Sequence, residues 1–305
     1  MQIYAEKMEI KRILITGANG FLGKTLLNEL KTSHQINCLV RDRGFTDDKA
    51  NVLYFQGYED NAVEDAVSTT EAVVHCAAML HGKKRAMYAA NVLYTKLLLQ
   101  YAEKYKIKHF IYISTENVEH AYSDNYTATK TMAEKEVKRF KNHTIFRPTI
   151  LYGPGDKKYV SRLISLIKKL PVVPILGKGR NRFQFLYIDD LIQVITATLK
   201  RNITGTYVIA GPESVTYEDF MATVLQELGI KKPIIRIPIF LLKPIAYILD
   251  VFLPSPPLTP TQLNTLSEDR DYDIGDAVKL FKYTATPLEA GLKSLIAQDY
   301  YRIIK

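Results

Sequence analysis

A short apolar run near the start of the chain leads into a glycine-rich turn and then into helical sequence. Ile13–Thr16 predicts a buried strand, and Gly17, Gly20 and Gly23 follow it in the spacing G-x-x-G-x-x-G. A dinucleotide pyrophosphate binds at such a junction, because the N–H groups and positive dipole end of a helix face the anion there. Gly17 permits the tight turn, and Gly20 leaves no Cβ between backbone and phosphate. Gly23 lets the helix pack closely on the strand, so the turn predicts dinucleotide binding.

Strand-like and helical segments alternate over the first half of the chain. Strands are predicted at 12–16, 36–40, 52–55, 72–76, 108–113 and 144–147. Helices are predicted between them, at 21–31, 60–68, 86–105 and 126–140. This alternation favours an α/β fold, a Rossmann-like doubly wound parallel sheet. The pattern loosens after Pro148, so we predict a dinucleotide-binding domain over 1–150, to which segment 185–200 returns, and a smaller mixed substrate-binding part over 151–305.

Charge and composition narrow the class of ligand. The chain has 305 residues and a formal net charge of +9, without a long block of like charges. This balance fits an anionic small molecule and gives no reason to expect a nucleic-acid partner. Cys38 and Cys76 lie in apolar runs and are predicted to be small buried residues, and no metal-ligand spacing is present. The mixed N-terminus does not resemble a signal peptide, so a cytoplasmic location is expected.

The most apolar stretch of the chain is Pro233–Pro254. Arg236, Lys243 and Asp250 interrupt it, together with internal prolines. A membrane span needs about 20 predominantly apolar residues, so no transmembrane segment is predicted here. A broken helix in the second domain is the simpler interpretation, and contact with a membrane surface is left open.

Tyr126 and Lys130 are four positions apart in a predicted helix, which places them one turn apart on one face. A free phenol is a poor base at neutral pH, but a nearby ammonium favours the phenolate. Such a tyrosine can exchange a proton with a carbinol oxygen while hydride moves to or from a nicotinamide. The chain has 20 tyrosines, so this spacing alone is also compatible with an ordinary amphipathic helix.

Several motifs at strand ends accompany this pair. Ser114 and Thr115 follow the predicted strand 108–113, where a hydroxyl can hydrogen-bond a reacting oxygen, and His75–Ala78 ends another strand. Further motifs are Asn91–Thr95, Arg147–Gly155 and Leu186–Asp190. With the glycine turn and the Tyr/Lys pair, their order resembles the extended short-chain dehydrogenase/reductase family of the NAD-dependent epimerase/dehydratase type. The resemblance covers nearly the whole chain.

This resemblance implies a nicotinamide dinucleotide, NAD(P)(H), as cofactor. The backbone of Phe21 and Leu22 is implied to join the three glycines around the pyrophosphate. Ala77 and Ala78 are implied to line the adenosine and ribose side, and Asn91 to have a structural or cofactor-ordering role. For catalysis, the resemblance implies Tyr126 as proton donor or acceptor.

The resemblance also assigns the groups around that tyrosine. Lys130 is implied to bind the nicotinamide ribose and to favour the phenolate. Thr115, with Ser114 before it, is implied to supply the catalytic hydroxyl. Glu116-Asn117 replaces the Asp-Glu pair that sugar-nucleotide dehydratases of this family use for water elimination, which argues against dehydration.

The end of the second predicted strand bears on the choice between NAD and NADP. An acidic residue there binds the ribose 2′-hydroxyl, whereas arginine accommodates a 2′-phosphate. The chain has Arg41 and Arg43 on either side of Asp42. The two arginines favour NADP(H), and Asp42 keeps NAD(H) open.

Substrate contacts are less well defined by the sequence. Many nucleotide-sugar enzymes of the family carry an arginine at the position of Phe183, and Arg182 beside it could take that role. We therefore take Arg182 and Phe183 as candidate substrate-binding residues. A nearby acidic residue, Asp190, is interpreted as the cap of a helix that starts at Leu191.

The predicted function is an NAD(P)-dependent enzyme that acts on a nucleotide sugar as epimerase or keto-sugar reductase. The alternative is a reductase or dehydrogenase of an apolar alcohol or ketone, of the hydroxysteroid or dihydroflavonol type. A non-catalytic nucleotide-binding assembly subunit is the third hypothesis. The expected partner is a small molecule, and a homodimer is left open.

Overall fold

The computed structural model describes residues 9–57, 61–120, 124–157, 160–252, 263 and 268–303. These residues divide into two compact units. The first unit runs to Pro148 and takes in Leu191–Val208 and Lys279–Tyr283. The second comprises Thr149–Asp190, Ile209–Val278 and the chain from Thr284 onward.

A seven-stranded sheet forms the centre of the first unit. Numbered in chain order, its strands are β1 Arg12–Thr16, β2 Gln35–Val40, β3 Ala50–Tyr54, β4 Ala72–His75, β5 His109–Ile113, β6 His143–Pro148 and β10 Gly205–Ile209. Their spatial order is β10-β6-β5-β4-β1-β2-β3. The pairings from β6 to β3 are parallel, which confirms the predicted Rossmann-like α/β fold.

The sheet brings three strand ends to one edge. Thr16 at the end of β1 pairs with His75 at the end of β4, and His75 pairs with Tyr112 near the end of β5. The chain order reverses at β1, which has β2 on one side and β4 on the other. Ligands of open α/β sheets bind beyond the carboxyl ends of the strands at such a switch point. The motifs that follow β1, β4 and β5 therefore meet at this edge.

Helices cover this sheet, with one departure from the regular pattern. The helical segments are α1 Phe21–Leu30, α2 Asn61–Ser68, α3 Lys84–Tyr88, a π-helical turn Ala89–Leu93, α4 Tyr94–Lys104, a 3₁₀ turn Glu116–Glu119, α5 Asn125–Val137, α7 Ile188–Arg201 and α10 Gly275–Phe281. The sequence predicts one helix over 86–105, and the structure inserts the π-helical turn into it. Such turns often occur at functional sites. Leu14, Val73 and Phe110 are fully buried members of the core under α2, α4 and α5.

The second unit contains two small sheets. Its strands are β7 Ile150–Tyr152, β8 Val173–Leu176, β9 Arg182–Tyr187, β11 Ser214–Thr216 and β12 Ile234–Ile237. In the order β11-β9-β7, β9 pairs antiparallel with β11 and parallel with β7, while β8 and β12 form a separate parallel pair. Its helices are α6 Val160–Lys169, α8 Tyr217–Leu228, α9 Ile239–Phe252 and α11 Leu288–Ile303. Phe185 stacks on Phe220 with ring centroids 4.1 Å apart in the core of this unit.

Segment 185–200 is shared between the two units. From Leu191 onward its helix α7 belongs to the first unit, whereas the strand before it, β9, belongs to the three-stranded sheet of the second. The strand that extends the large sheet is β10, which the sequence analysis does not predict. Asp190 also differs from its predicted role, because α7 starts at Ile188. Its buried carboxylate accepts hydrogen bonds from the Thr286 N–H at 2.8 Å and the Thr286 hydroxyl at 2.7 Å.

Candidate functional site

The glycine turn after β1 is built for close backbone approach. Gly17 has φ +70°, and a Cβ there would lie 2.8 Å from the Ala77 Cα. A Cβ on Gly23 would lie 2.2 Å from the Gly17 carbonyl oxygen, so the fold itself requires glycine at both positions. Gly20 differs, because its nearest neighbour to a Cβ is the Gly17 oxygen at 3.2 Å and its φ of −78° suits any residue. The fold thus has little need of glycine at position 20, as expected if a ligand needs the space.

Helix α1 presents its N-terminus at this turn. Phe21 and Leu22 are its first two residues, and Gly20 precedes them without a side chain that could cap the helix. The first N–H groups of an α-helix have no partner inside the helix, and no acidic residue occupies this first turn. An anionic ligand therefore meets free donors and the positive end of the helix dipole.

A cavity of about 490 Å³ adjoins the glycine turn. It is lined by Gly17, Asn19, Gly20, Leu39, Val40, Arg41, Asp42, Phe55, Cys76, Ala77, Ala78, Met79, Ala90 and Tyr94. The cavity thus joins the glycine turn, the end of β2 and the Ala77-Ala78 pair, which are the parts that the sequence assigns to one dinucleotide. The small side chains and the free donors fit a nicotinamide dinucleotide.

The two candidate ribose ligands after β2 have different surroundings. The Asp42 carboxylate accepts a hydrogen bond from the Gly44 N–H at 2.9 Å, within its own turn. Arg41 is exposed, lines the cavity and has no ion pair among the residues that the structure describes. Arg43 is also exposed and is not part of this lining, so Arg41 is the arginine that borders the cavity here.

A buried histidine fixes the end of β4 beside the cavity. His75 Nδ1 lies 2.6 Å from the Thr16 hydroxyl, and its Nε2 lies 3.0 Å from the Thr95 hydroxyl. Burial lowers the pKa of His75 to about 3, and the nearby Lys130 adds to this effect. A neutral imidazole with a hydroxyl on each nitrogen ties β1, β4 and α4 together. His75 therefore has a structural role next to Ala77 and Ala78.

Asn91 performs a similar task from the π-helical turn. Its Oδ1 accepts from the Met79 N–H at 2.7 Å, and its Nδ2 donates to the Met79 carbonyl and the Thr129 hydroxyl, each at 3.0 Å. The Thr129 hydroxyl in turn donates to the carbonyl of Tyr126 at 2.8 Å. Asn91 thus connects a loop that lines the cavity with the helix that carries Tyr126 and Lys130.

Lys130 is buried under the carboxyl edge of the sheet. Its Nζ donates to the Ile113 carbonyl at 2.5 Å and lies 4.0 Å from the centroid of the Tyr112 ring. Burial lowers the pKa of Lys130 to about 7, and the charges of Glu134 and Cys76 oppose this shift. Since Cys76 lines the cavity, Lys130 lies near the dinucleotide pocket.

Tyr126 lies in the first turn of α5, which the Asp124 side chain caps by accepting from the Thr127 N–H at 2.7 Å. Tyr126 is partly exposed and interacts electrostatically with Tyr112. Burial raises the pKa of Tyr112 well above its ordinary value, and Tyr126 raises it further, so Tyr112 remains a neutral phenol. Lys130, one turn after Tyr126 on α5, thus lies over the ring of Tyr112, a residue that the sequence analysis does not identify.

The hydroxyl pair follows directly after Ile113, whose carbonyl holds Lys130. Thr115 is buried, and its Oγ1 accepts from the Asn117 N–H at 3.3 Å and the Asn117 side-chain amide at 3.1 Å. Both bonds use the lone pairs of Thr115, so its hydrogen is free to be donated. The buried Ser114 Oγ has no hydrogen-bond partner in the part of the chain that the structure describes. A buried hydroxyl of this kind is suited to bind a ligand oxygen.

An ion pair anchors helix α5 to the sheet. Arg147 on β6 donates from Nε to Glu134 Oε1 at 2.9 Å and from Nη2 to Glu134 Oε2 at 2.6 Å. Its Nη1 donates to Glu119 at 2.6 Å. Glu134 is buried, and a bidentate pair fixes geometry as well as charge. Neither Glu134 nor the role of Arg147 is evident from the sequence, because the partners are 13 residues apart on different elements.

The two candidate substrate residues lie in the second unit. The Arg182 guanidinium donates to the Ser214 hydroxyl at 2.7 Å and lies 3.8 Å from Asp271. Phe183 is 3% exposed and packs edge-on against Tyr217, with ring centroids 6.2 Å apart. Phe183 therefore has a packing role in this unit, and Arg182 is exposed but already bonded.

Known proteins resemble this chain over the residues that form the site. The family model of the NAD dependent epimerase/dehydratase family matches residues 13–210. A 3beta-hydroxysteroid-dehydrogenase/decarboxylase isoform 2 from Arabidopsis thaliana is 23% identical, over 93% of this chain and 61% of its own length. A UDP-glucose 4-epimerase from Vibrio cholerae is 28% identical, over 75% of this chain and 79% of its own length.

A solved structure shares the fold. A UDP-glucuronic acid 4-epimerase from Bacillus cereus in complex with NAD superposes with a TM-score of 0.75 at 21% identity, over 96% of this chain and 100% of that chain. The chain spans about three fifths of the length of the Arabidopsis relative. The matches to the family and the fold neighbour together cover both the glycine turn and helix α5.

Proposed function

The chain belongs to the NAD dependent epimerase/dehydratase family of enzymes, and we propose that it interconverts a secondary alcohol and its ketone with Tyr126 as the proton-transfer group. The observation that carries this proposal is the placement of Tyr126 and buried Lys130 one turn apart on α5, in the unit whose glycine turn borders a cavity that a dinucleotide fits. Bound nicotinamide supplies the hydride acceptor or donor for this reaction.

Each side chain has a defined task in this proposal. In the oxidation direction the Tyr126 oxygen accepts the proton of the carbinol hydroxyl, and in the reduction direction it returns a proton to the carbonyl oxygen. Protonated Lys130 favours the phenolate of Tyr126 and is placed to bind the ribose next to the nicotinamide. Thr115 donates its free hydrogen to the reacting oxygen, and Ser114 provides a second hydroxyl there.

For the substrate, we propose a nucleotide sugar, on which the enzyme acts as epimerase or keto-sugar reductase. The Vibrio cholerae relative named for UDP-glucose epimerisation supports this class, as does the basic balance of the chain. In an epimerase, oxidation at one carbon is followed by return of the hydride to the opposite face. In a reductase, the oxidised cofactor leaves after a single transfer.

An apolar alcohol is the second candidate substrate. The Arabidopsis relative named 3beta-hydroxysteroid-dehydrogenase/decarboxylase supports it. So does the buried Phe183, which stands where many nucleotide-sugar enzymes of the family carry an arginine. A diphosphate needs cationic partners, and Arg182 is already bonded to Ser214 and near Asp271.

For the cofactor, we propose a preference for NADP(H) over NAD(H). Arg41 borders the cavity and has no ion pair with a described residue, which supports a contact with a 2′-phosphate, and Asp42 is bonded within its own turn. Because the Bacillus cereus structure is a complex with NAD, the test that follows includes NAD⁺ as well as NADP⁺.

A substrate panel tests the proposal. The purified protein is incubated with NADP⁺ or NAD⁺ and with UDP-glucose, UDP-glucuronic acid or a 3β-hydroxysteroid, and products are separated by chromatography while absorbance at 340 nm reports hydride transfer. Conversion of a UDP-sugar that Tyr126→Phe loses supports the proposal. Oxidation of the steroid with no sugar converted selects the second candidate. Absence of cofactor binding contradicts both.

A further inference from the structure

Helix α9 in the second unit presents apolar side chains to solvent along its length. Phe240, Leu241, Ile245, Tyr247, Ile248 and Phe252 are each between 52% and 77% exposed. We call these six residues the α9 face. Helices on protein surfaces ordinarily bury their apolar side and expose a polar one, so the exposed side of α9 departs from this arrangement.

The geometry of the helix shows that the exposed apolar residues are contiguous. At 100° per residue they fall in an arc of about 160°, from Tyr247 through Phe240 and Ile248 to Ile245. Pro244 lies in the same arc, and no charged residue does. Ala246, on the other side of the helix, is fully buried. One side of α9 therefore packs on its own unit, and the other is a continuous apolar surface.

The strand before α9 also exposes an apolar side chain. Ile235 on β12 is 48% exposed, and β8 is the one strand that pairs with β12 among the residues that the structure describes. The end of β8 touches the start of α9, because the Gly177 N–H donates to the Ile237 carbonyl at 2.8 Å and a Cβ on Gly177 would lie 2.9 Å from the Ile239 side chain. β12 and the start of α9 thus lie next to each other.

Lysines border this surface. Lys243 is exposed on α9 just outside the arc. Lys178 is exposed in the loop after β8, next to Gly177, which lies against Ile239 at the start of α9. Lys231 is exposed just before β12. None of the three has an ion pair with any residue in the described ranges of the chain. Arg236 forms an ion pair with Glu218 at 2.5 Å, so the negative charge of Glu218 is already neutralised. Lys178, Lys231 and Lys243 therefore carry positive charge that no acidic group among the described side chains pairs with.

This combination identifies the occupant. An isologous contact between two copies would bring both sets of lysines to one interface, which is unfavourable. A bilayer with anionic head groups instead accepts the apolar side chains and pairs with the lysines. The 14-residue helix is about 21 Å long, shorter than the roughly 30 Å core of a bilayer. Among the described residues, no helix has the length and apolarity to span a membrane.

We propose that the α9 face docks on the surface of an anionic lipid bilayer, with α9 lying in the plane of the interface and Lys178 and Lys243 contacting the head groups. This inference is independent of the proposed reaction, since every residue that it uses lies in the second unit. Tyr247 and the phenylalanines are suited to the boundary between head groups and acyl chains.

Vesicle binding by the full chain tests this proposal. Co-sedimentation is measured with vesicles of phosphatidylcholine alone and with vesicles containing 25% phosphatidylglycerol. The protein is expected to bind the anionic vesicles at least tenfold more tightly. Phe240→Gln with Ile248→Gln is expected to weaken this binding at least about a hundredfold, because burial of each side chain contributes about tenfold or more.

Two further variants complete the test. Met132→Gln removes an apolar side chain that is 44% exposed from α5 in the other unit and is expected to bind like the parent. Lys178→Gln with Lys243→Gln is expected to remove the preference for anionic vesicles. Circular dichroism and urea unfolding check that each variant is folded.

The outcomes are distinct. Binding of the parent that the α9 double variant loses supports the proposal. Failure of the parent to bind either vesicle overturns it, and so does equal binding by the folded double variant. A dimer in light scattering that the double variant dissociates, without vesicle binding, replaces the bilayer with a second copy of the chain. None of these results depends on enzyme turnover. The substrate panel therefore tests the proposed function, and vesicle binding tests the docking of α9, each without the other.

Discussion

Lys130→Met is expected to change how the stability of the ligand-free protein depends on pH. Lys130 has a pKa of about 7 in the fold, against 10.5 when it is exposed, because burial disfavours its charge. Between these values the unfolded chain binds more protons than the folded one. The free energy of unfolding therefore rises with pH across this window, and the cost of the buried charge is fully present below pH 7.

The magnitude follows from the two pKa values. With one titrating group at 7 in the fold and 10.5 in the unfolded chain, the free energy of unfolding is expected to rise by about 2 kcal/mol between pH 7 and pH 9. Methionine matches lysine in length and keeps an apolar contact with the Tyr112 ring. The substitution also removes the donor to the Ile113 carbonyl, but this loss is independent of pH.

The assay is urea unfolding of the ligand-free protein at pH 7, 8 and 9, followed by circular dichroism. The parent and a Lys135→Met control, which changes an exposed lysine on the same helix, are expected to share the rise with pH. Lys130→Met is expected to be flatter by about 2 kcal/mol over that range. Parallel curves of unfolding free energy against pH for all three proteins would refute the argument that burial disfavours the charged form of Lys130.

Four other substitutions test the site. Gly20→Val is expected to abolish NAD(P)H binding, measured by nucleotide fluorescence, while the free energy of unfolding changes by no more than about 1 kcal/mol, because only the Gly17 oxygen lies near its Cβ. Gly23→Ala is expected to cost about 3 kcal/mol of stability in urea unfolding, since its Cβ meets backbone at 2.2 Å. The parent is expected to bind NADPH at least tenfold more tightly than NADH in titration calorimetry, and Arg41→Ala should narrow this ratio, because a charged hydrogen bond contributes about 1.5–3 kcal/mol. Asn91→Ala is expected to lower the free energy of unfolding by about 2 kcal/mol and to weaken cofactor binding, since it leaves the Met79 N–H and carbonyl without their partner.

The parallel sheet could be predicted because its signals are local. The central strands are buried on both faces, as at Val73–Val74 and Phe110–Ile113, so they appear in the sequence as short apolar runs between helical segments. Each of the six predicted strands lies within two residues of the observed one. The helix prediction over 86–105 omitted its π-helical turn, whose Asn91 is satisfied by Met79, a residue in a different loop.

The second unit was less predictable because its elements are short and its contacts are distant in sequence. Strands such as β7 and β11 have three residues each and carry no clear alternation. Asp190 resembled a helix cap, yet its partner is Thr286, 96 residues away. Phe183 gave no local sign that it packs on Tyr217.

The candidate site could likewise be predicted only in part from the sequence. The glycine turn, Tyr126, Lys130 and the Ser114-Thr115 pair could be proposed from spacing and from their order along the chain. The groups that set their properties could not, because Tyr112 and Cys76 reach Lys130 only through the pairing of β4 with β5.

The proton-transfer role of Tyr126 is the central claim, and Tyr126→Phe tests it most directly. The variant is compared with the parent in two measurements, cofactor binding by calorimetry and turnover of the substrate that the panel identifies. Since only the phenolic oxygen is removed, the cofactor dissociation constant is expected to change by less than about threefold, and turnover is expected to fall about 100-fold or more. A variant that binds cofactor and retains the turnover of the parent would contradict the assignment of Tyr126 as the acid–base group.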